Sequence, residues 1–265
     1  MATLPFTRAL VTGASSGIGE EITRQLAAAG VPVVVVARRR DRLEALATEL
    51  PNIEVLPADL TTKDGVAIVV ERIASVESPI DLVVNNAGFG SQTLMATHDP
   101  QRMADEITLN CTALSLISRA ATATMAPRGR GYIINVSSIA AFNPSAFMAV
   151  YSATKSYVLS LSQAMHIELK RAGVHVTALC PGLTATEFQQ VAGTGNHHDI
   201  FPKKMWTSAE LVARVGLTDV AKNKPVSVPG SVYKVLDAVT NVTPRGLRRR
   251  VFALGMRAQM PKQAK

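Results

Sequence analysis

Short apolar segments alternate along the chain with longer segments in which apolar positions recur at helical spacing. The short segments are rich in β-branched residues and show little alternation of apolar and polar positions, which predicts strands covered on both faces. Seven strands are predicted, at residues 8–12, 31–37, 53–57, 81–85, 132–137, 174–180 and 225–228. The pattern therefore indicates a sheet buried on both sides.

Helical periodicity occupies the intervals between these strands. The predicted helices span residues 18–29, 41–50, 63–75, 100–125, 149–172, 208–223 and 231–241. Thr207 and Glu210 fit a capping box at the start of the sixth helix. Strand–helix alternation with short connections predicts a doubly wound (Rossmann) α/β fold, with one seven-stranded parallel sheet and helices on both faces. We expect residues 1–243 to form this single domain.

Residues 183–207, here called the flap, fit neither pattern. A segment of this length without regular structure is usually functional in a compact domain, and this one follows the carboxyl end of a strand, where doubly wound sheets bind ligands. Its bulky apolar residues favour a bulky or apolar substrate, although the same side chains could pack against the sheet. They are Phe188, Val191, Phe201, Met205 and Trp206.

Composition excludes several classes of protein. Hydrophobic residues make up 47% of the 265 residues and charged residues 18%, which excludes a disordered chain. No uninterrupted apolar run is long enough for a transmembrane helix, and the N-terminus does not have the pattern of a secretory signal. The two cysteines, Cys111 and Cys180, are predicted to be buried free thiols of a cytoplasmic protein.

The net charge of +8 comes almost entirely from the C-terminal tail. Residues 244–265 hold seven basic residues and no acidic one, whereas the rest of the chain is nearly neutral. The tail is predicted to be a basic amphipathic helix with Leu247, Val251 and Leu254 on its apolar face. It could lie on an anionic membrane surface, but packing over the flap or on a partner subunit is favoured because the apolar face is otherwise exposed. The near-neutral body does not suit an extended nucleic-acid groove.

A glycine-rich turn joins the first predicted strand to the first helix. Its first glycine permits a tight turn, and the next two let the backbone approach a pyrophosphate while helix and strand pack closely. The helix N-terminus then offers free N–H groups to the anion. The predicted dinucleotide contacts in this turn are Gly13, Ser15, Ser16, Gly17, Ile18 and Gly19.

The residues after the second strand bear on which dinucleotide binds. Folds that prefer NAD have an acid here for the ribose 2′-hydroxyl, but this chain has Ala37 followed by Arg38 and Arg39. A guanidinium suits a 2′-phosphate, so the sequence predicts NADP(H) as cofactor, with Arg38 as the principal contact and Arg39 beside it. Arg39 and Arg40 are expected to be more solvated than Arg38. The alternative is a solvated basic helix start.

Tyr151 and Lys155 are predicted to share one face of the fifth helix, because residues i and i+4 are neighbours there. A phenol with a pKa near 10 is a poor acid or base at neutral pH, and a nearby cation lowers that pKa. Ser138 stands at the end of the preceding strand. Taken singly, these residues could be an ordinary surface pair and a helix cap.

Taken in order, these residues and several others resemble the short-chain dehydrogenase/reductase family. The resemblance covers residues 6 to about 240. The segments Ala37-Arg38-Arg39 and Tyr151 to Lys155 are most similar to those of the bacterial DltE-like branch of NADP-dependent reductases. It implies hydride transfer between NADP(H) and a small-molecule carbonyl or alcohol, and a homodimer or homotetramer formed through residues 100–125 and 149–172. The matching segments are Thr12 to Gly19, Asn85-Asn86-Ala87-Gly88, Asn110, Ser138, Tyr151-x-x-x-Lys155 and Pro181-Gly182.

The resemblance implies a role for each catalytic residue. Tyr151 is the general acid in carbonyl reduction, and Lys155 lowers its pKa and holds the nicotinamide ribose. Ser138 polarises the substrate carbonyl, and Asn110 positions a water that connects Lys155 to solvent. The further cofactor contacts that it implies are Asp59, Leu60, Asn85, Asn86, Ala87, Gly88, Pro181, Gly182 and Thr186.

Other functions remain as alternatives. An epimerase or dehydratase could use the same fold, and a cofactor-binding regulator or a membrane- or nucleic-acid-associated protein could use the basic tail. The complete set of Asn110, Ser138, Tyr151 and Lys155 favours an enzyme. His197 and His198 are adjacent and have no neighbouring cluster of ligands, so no metal site is predicted.

Overall fold

The computed structural model describes residues 4–143, 145–193, 205–230 and 233. Seven strands form one parallel sheet in the order β3-β2-β1-β4-β5-β6-β7. The strands are β1 Ala9–Thr12, β2 Val33–Ala37, β3 Ile53–Pro57, β4 Leu82–Asn85, β5 Gly131–Val136, β6 Val174–Leu179 and β7 Val226–Ser227. The predicted doubly wound parallel sheet is therefore confirmed.

The helices follow the strands in the predicted alternation. In the described part of the chain they are α1 Gly17–Ala28, α2 Arg40–Glu49, α3 Lys63–Ala74, α4 Pro100–Ile107, α5 Leu114–Met125, α6 Ala149–Leu169, α7 Phe188–Ala192 and α8 Ala209–Ala221. None of them has the length and apolar character that a membrane span requires. The predicted helix at 231–241 and the tail at 244–265 lie outside the described residues, apart from Tyr233.

Strand residues alternate between two cores, one on each face of the sheet. In β1, Ala9 and Val11 pack with α1, α2 and α8, whereas Leu10 faces α3, α5 and α6. All three side chains are fully buried. Both faces of a strand are thus covered by helices, which explains why the strands read as apolar runs without alternation.

Two helix predictions need correction. The predicted helix at 100–125 is interrupted by a π-helical turn, Thr108–Ala113, between α4 and α5. The cap of α8 is Ser208, whose hydroxyl accepts a hydrogen bond from the backbone N–H of Leu211 at 3.1 Å. Thr207 is therefore not the capping residue, because its hydroxyl instead bonds to the backbone oxygen of Leu183 at 3.1 Å.

The strand order reverses direction between β1 and β4. At such a switch point the loops at the carboxyl ends of two neighbouring strands lead to opposite faces of the sheet, and the crevice between them is the usual ligand site of this architecture. The loops that begin at Gly13 and Asn86 therefore meet at this point, and they form the floor of the cavity described next.

Candidate active site

The loop after β1 and the loop after β4 are packed directly against each other. The Asn86 side-chain amide donates to the backbone oxygens of Thr12 and Gly13, at 3.0 and 3.1 Å. Gly13 has φ +66°, and a Cβ there would lie 2.7 Å from the same amide nitrogen. The turn therefore requires glycine both for its backbone angle and for space.

One cavity of about 1190 Å³ runs along the carboxyl ends of the strands. Gly19 and Asn110 do not line it. Gly19 packs under the loop against Gly13 and Asn86. Apart from Asn85, which is described below, the other predicted site residues all line the cavity. They are Gly13, Ser15, Ser16, Gly17, Ile18, Arg38, Arg39, Asp59, Leu60, Asn86, Ala87, Gly88, Ser138, Tyr151, Lys155, Pro181, Gly182 and Thr186.

Asn85, also matched to the cofactor stretch, has a different role. Its side chain is buried at the carboxyl end of β4. Its amide donates to Ser118 Oγ at 3.0 Å and to Asn135 Oδ1 at 2.8 Å. Asn85 therefore does not line the cavity, and the cofactor contact that the resemblance implies for it stays a prediction. Asn85 holds β4 to β5 and α5.

Ser138 and Tyr151 meet at the wall of the cavity. Ser138 follows β5 and caps a short 3₁₀ turn, where its Oγ accepts a hydrogen bond from the N–H of Ala140 at 3.1 Å. Its hydroxyl is also hydrogen-bonded to Tyr151, which projects from the first turn of α6. The two hydroxyl groups can therefore reach the same substrate oxygen.

Burial controls the acidity of Tyr151. Burial raises its pKa to about 12, and the hydrogen bond to Ser138 acts in the opposite direction without reversing the shift. The net shift is therefore upward, and the lowering of this pKa by Lys155 that the resemblance implies stays a prediction. A phenol with this pKa stays protonated at neutral pH and is a weaker acid than a solvent-exposed tyrosine.

Lys155 lines the cavity and is almost fully buried. Its ammonium donates to the backbone oxygen of Val136 at 2.8 Å and lies 5.7 Å from the centre of the Tyr151 ring. Burial lowers the pKa of Lys155 to about 8, although the nearby Glu106 raises it. The charge of Lys155 therefore changes close to physiological pH.

Asn110 acts behind this pair, in the π-helical turn. Its amide donates to Phe89 O at 2.8 Å and to Thr154 Oγ1 at 3.0 Å, and its oxygen accepts from Phe89 N at 3.2 Å. A Cβ at Gly88 would lie 2.8 Å from Asn110 Oδ1 and 3.4 Å from Lys155 Nζ. Asn110 thus fixes the loop after β4 against α6, and π turns of this kind are frequent at functional sites.

The two arginines after β2 differ in exposure in the opposite sense to the prediction. Arg38 lines the cavity with its side chain exposed, whereas Arg39 is only partly exposed and lies over the glycine loop. Its guanidinium donates to Ser15 Oγ at 3.0 Å and Ser16 Oγ at 3.1 Å. The expectation that Arg38 is less solvated than Arg39 is therefore wrong.

The flap contributes fewer of its apolar residues to the cavity than predicted. Phe188 and Val191 line it, and the Phe188 ring lies 5.3 Å from the ring of Tyr151. Met205 and Trp206 do not line it. Phe201 lies outside the described residues.

Sequence reasoning missed Tyr233, which is almost fully buried against the flap. Its hydroxyl accepts a hydrogen bond from Leu183 N at 3.0 Å and donates to Met205 O at 2.6 Å. Its ring fills the space beside Gly182, where a Cβ would collide with it. One side chain therefore joins the beginning of the flap to its end.

Sequence reasoning also missed Glu106, which lies in α4, one turn before Asn110. The side chain is completely buried, and among the described residues neither carboxylate oxygen has a hydrogen-bond partner of good geometry. Burial raises the pKa of Glu106, although Ser91 and Arg102 nearby act to lower it. A buried, poorly partnered acid is costly when ionised.

Glu106→Gln should therefore stabilise the protein at high pH. An acid whose pKa is raised in the folded state contributes stability below its unfolded pKa and loses it as the pH rises through the folded value. At pH 8 the variant should gain about 1–3 kcal/mol in unfolding free energy, and the gain should disappear near pH 4. Urea unfolding at both pH values measures this. A variant that is less stable than the parent at pH 8 contradicts it.

Within the described ranges, no group of three or more histidine, cysteine or acidic side chains could hold a metal ion. Cys111 and Cys180 are not joined in a disulfide in this part of the chain, and they are half-buried and buried. His197 and His198 lie outside the described residues.

A switch-point cavity with a glycine loop and a buried Tyr–Lys pair defines a dinucleotide-binding oxidoreductase. The family model for short chain dehydrogenase matches residues 7–196, and the chain belongs to this family. It is 32% identical over 246 residues to an "uncharacterized oxidoreductase" of Myxococcus xanthus, covering 89% of this chain and 95% of that protein. A Staphylococcus epidermidis oxidoreductase is 34% identical over 179 residues, covering 67% and 78%.

Two solved structures show the same fold over almost the whole chain. A short-chain dehydrogenase from Sphingobium yanoikuyae in complex with NADPH has a TM-score of 0.80 and 31% identity, covering 97% of this chain and 98% of its own. The bulky-bulky ketone specific alcohol dehydrogenase from Comamonas testosteroni has a TM-score of 0.76 and 28% identity, covering 98% and 96%.

Proposed function

We propose that the protein transfers a hydride between NADP(H) and a bulky, largely apolar carbonyl or alcohol. The observation that carries this proposal is the continuous cavity that joins the glycine loop to Ser138 and Tyr151. Its volume, about 1190 Å³, exceeds the usual range of about 300–1,000 Å³ for one small-molecule site. A cofactor and a substrate side by side account for the excess.

The residues present fit a dinucleotide. The glycine loop and the N-terminus of α1 suit the pyrophosphate, and Arg39 with Ser15 and Ser16 suits a 2′-phosphate. The nicotinamide supplies the hydride when it is bound, and Lys155 would hold its ribose. The NADPH complex of the Sphingobium yanoikuyae relative supports this choice of cofactor.

The protein supplies the proton. Ser138, whose Oγ accepts from Ala140 N, would donate its hydroxyl hydrogen to the substrate carbonyl oxygen in place of Tyr151. Tyr151 donates its phenolic proton to that oxygen as negative charge develops there. Lys155 lies behind Tyr151 and stabilises the resulting phenolate, and Asn110 fixes the backbone around the ammonium.

Aromatic side chains surround the substrate end of the cavity. Phe89, Phe142, Phe147 and Phe188 all line it, together with Met148. Such a surface favours a ketone with large apolar groups on both sides, because burial of apolar area drives binding. The Comamonas testosteroni alcohol dehydrogenase, specific for bulky-bulky ketones, supports the same class of substrate.

NADPH oxidation at 340 nm with a ketone panel tests the proposal. We expect diaryl and aryl-alkyl ketones to have a kcat/KM at least tenfold above that of acetone, the small reference. Phe188→Ala should raise the KM of the bulky ketones, whereas Ile167→Ala on the exposed surface of α6 serves as the matched control. A preference for small charged hydroxy acids contradicts the proposed substrate class.

Arg39→Ala should change the choice of cofactor. Removal of a charge-assisted contact to the 2′-phosphate should weaken NADPH by roughly 1.5–3 kcal/mol, about 10- to 100-fold, and leave NADH within twofold. Arg38→Ala should have a smaller effect, and Arg40→Ala, whose guanidinium pairs with Glu44, serves as control. Dissociation constants from quenching of protein fluorescence measure this. Equal weakening of both cofactors contradicts the assignment.

The pH profile should report Lys155. Since its pKa is about 8 and that of Tyr151 about 12, raising the pH first removes the ammonium charge and leaves the phenol protonated. We expect the rate of ketone reduction to fall as the pH rises through about 8. Lys155→Arg should remove this inflection, because a guanidinium keeps its charge. An inflection that persists in the variant contradicts the assignment to Lys155.

The site roles of Asn110, Ser138, Tyr151 and Lys155 form part of this proposal. So do the DltE-like branch, the cytoplasmic location and the homo-oligomer implied by the resemblance. Size-exclusion chromatography with light scattering tests the oligomeric state.

A further inference from the structure

Three consecutive flap residues contact three different parts of the cavity. Thr186 covers the glycine loop, where a Cβ at Gly17 would lie 3.0 Å from its methyl group. Phe188 packs against the ring of Tyr151. Between them, Glu187 reaches toward the arginines after β2. The start of the flap is therefore tied at once to the phosphate loop, the arginines and the catalytic tyrosine.

The Glu187 carboxylate bridges two guanidinium groups. Its Oε2 accepts from Arg39 Nη1 at 3.0 Å, and its Oε1 accepts from Arg42 Nη1 at 2.6 Å. These hydrogen bonds hold the pKa of Glu187 below its ordinary value, so the group is an anion at neutral pH. Arg39 is held on its other side by the hydroxyls of Ser15 and Ser16. The two guanidinium groups therefore form an anion site that holds a carboxylate, and the serine hydroxyls orient Arg39 by accepting from it.

We propose that Glu187 is an internal substitute for the cofactor 2′-phosphate, and that the phosphate displaces it from Arg39 and Arg42. Arg42 is then a second specificity-determining residue for NADP(H). The proposal rests on the proposed function, because it assumes that the 2′-phosphate binds at Arg39. Two anions compete here, since a phosphate and a carboxylate on the same guanidinium pair repel each other.

Displacement of Glu187 couples the adenosine end of the cofactor to the substrate end. When Glu187 leaves the arginines, we expect the neighbouring backbone to shift and with it Phe188, whose ring packs against Tyr151. A cofactor without a 2′-phosphate leaves the ion pairs intact. NADPH and NADH should therefore give the flap different conformations at its first helical turn.

The test uses the fragments 2′,5′-ADP and 5′-ADP with the full-length protein. Glu187→Gln removes the competing charge, so it should tighten 2′,5′-ADP by about threefold to tenfold, the range expected for two surface ion pairs. Binding of 5′-ADP should stay within twofold. Arg42→Ala should weaken 2′,5′-ADP and reduce the gain from Glu187→Gln in the double variant. Glu44→Gln, which removes the same charge from the Arg40 pair, is the matched control and should change neither affinity.

The single tryptophan, Trp206, stands near the end of the flap and gives a second readout. In the parent protein 2′,5′-ADP should change its fluorescence and 5′-ADP should not. In Glu187→Gln the changed signal should be present before any ligand is added.

Each remaining result decides a different claim. A parent protein that does not distinguish the two fragments overturns the proposed cofactor preference, and this inference with it. A parent that prefers 2′,5′-ADP, with Glu187→Gln unchanged or weaker, overturns only the displacement of Glu187. If Glu44→Gln tightens 2′,5′-ADP as much as Glu187→Gln does, the gain in affinity reflects net charge alone. That result also overturns the displacement of Glu187.

Discussion

Tyr151→Phe should reduce turnover of the true substrate on the order of 100-fold or more while the fold and the affinity for NADPH stay unchanged. The hydroxyl that is removed is the proposed proton donor, and general acid catalysis typically contributes 10²–10⁴-fold. The phenyl ring keeps its packing against Phe188 and Gly90, where a Cβ would lie 2.7 Å from the tyrosine ring. The loss should therefore appear in kcat and not in stability.

Steady-state kinetics, thermal unfolding and NADPH titration of the same preparation measure these three quantities. Tyr157→Phe is the matched control, because Tyr157 lies on the same helix with its hydroxyl near Ser115 and half of its side chain exposed. Its activity should stay within twofold of the parent. Turnover close to the parent value in Tyr151→Phe removes Tyr151 from the mechanism and the proposed reaction with it.

Lys155→Ala should cause the second large loss, and it should affect two quantities at once. Turnover should fall on the order of 100-fold, because the phenolate formed at Tyr151 loses its neighbouring cation. NADPH affinity should fall about 10-fold or more, since the ammonium is proposed to hold the nicotinamide ribose. This double loss distinguishes Lys155 from Tyr151, whose removal is expected to affect turnover alone.

Truncation of Lys155 also leaves Val136 O without its hydrogen-bond donor. Unfolding should therefore be measured beside activity, and Lys155→Met, which keeps the buried aliphatic volume, separates packing from charge. Lys170→Ala, in the 3₁₀ turn after α6, is the control for general loss of a lysine. If Lys155→Met binds NADPH as the parent does, the ribose contact is wrong.

The strands were predictable to within two residues because their signal is local. β1, β2, β4, β5 and β6 are apolar runs that are mostly buried on both faces, so burial and propensity agree there. The π turn at Thr108–Ala113 has no such signal. Asn110 bonds there to Phe89 and Thr154, and those partners come from other segments of the chain. A continuous helix was therefore the natural prediction for residues 100–125.

The candidate site divides in the same way. The glycine loop and the Tyr–Lys pair are local motifs, so sequence alone could indicate them. Which of two adjacent arginines turns toward the loop depends on the backbone at Arg39, which is the N-cap of α2. Glu187 could not be anticipated, because its arginine partners lie 148 and 145 residues away in the sequence.

The hydroxyl of Tyr233 has a practical consequence for protein engineering. Exchange of flaps between homologous enzymes is an obvious route to new substrate ranges, and residues 183–207 look like a self-contained cassette. They are not, since the backbone N–H of Leu183 and the backbone oxygen of Met205 share a partner that lies outside the cassette. A chimera that imports a foreign flap without a matching residue at position 233 leaves two polar groups unsatisfied at the mouth of the cavity. The transplantable unit is therefore discontinuous, and it includes Tyr233.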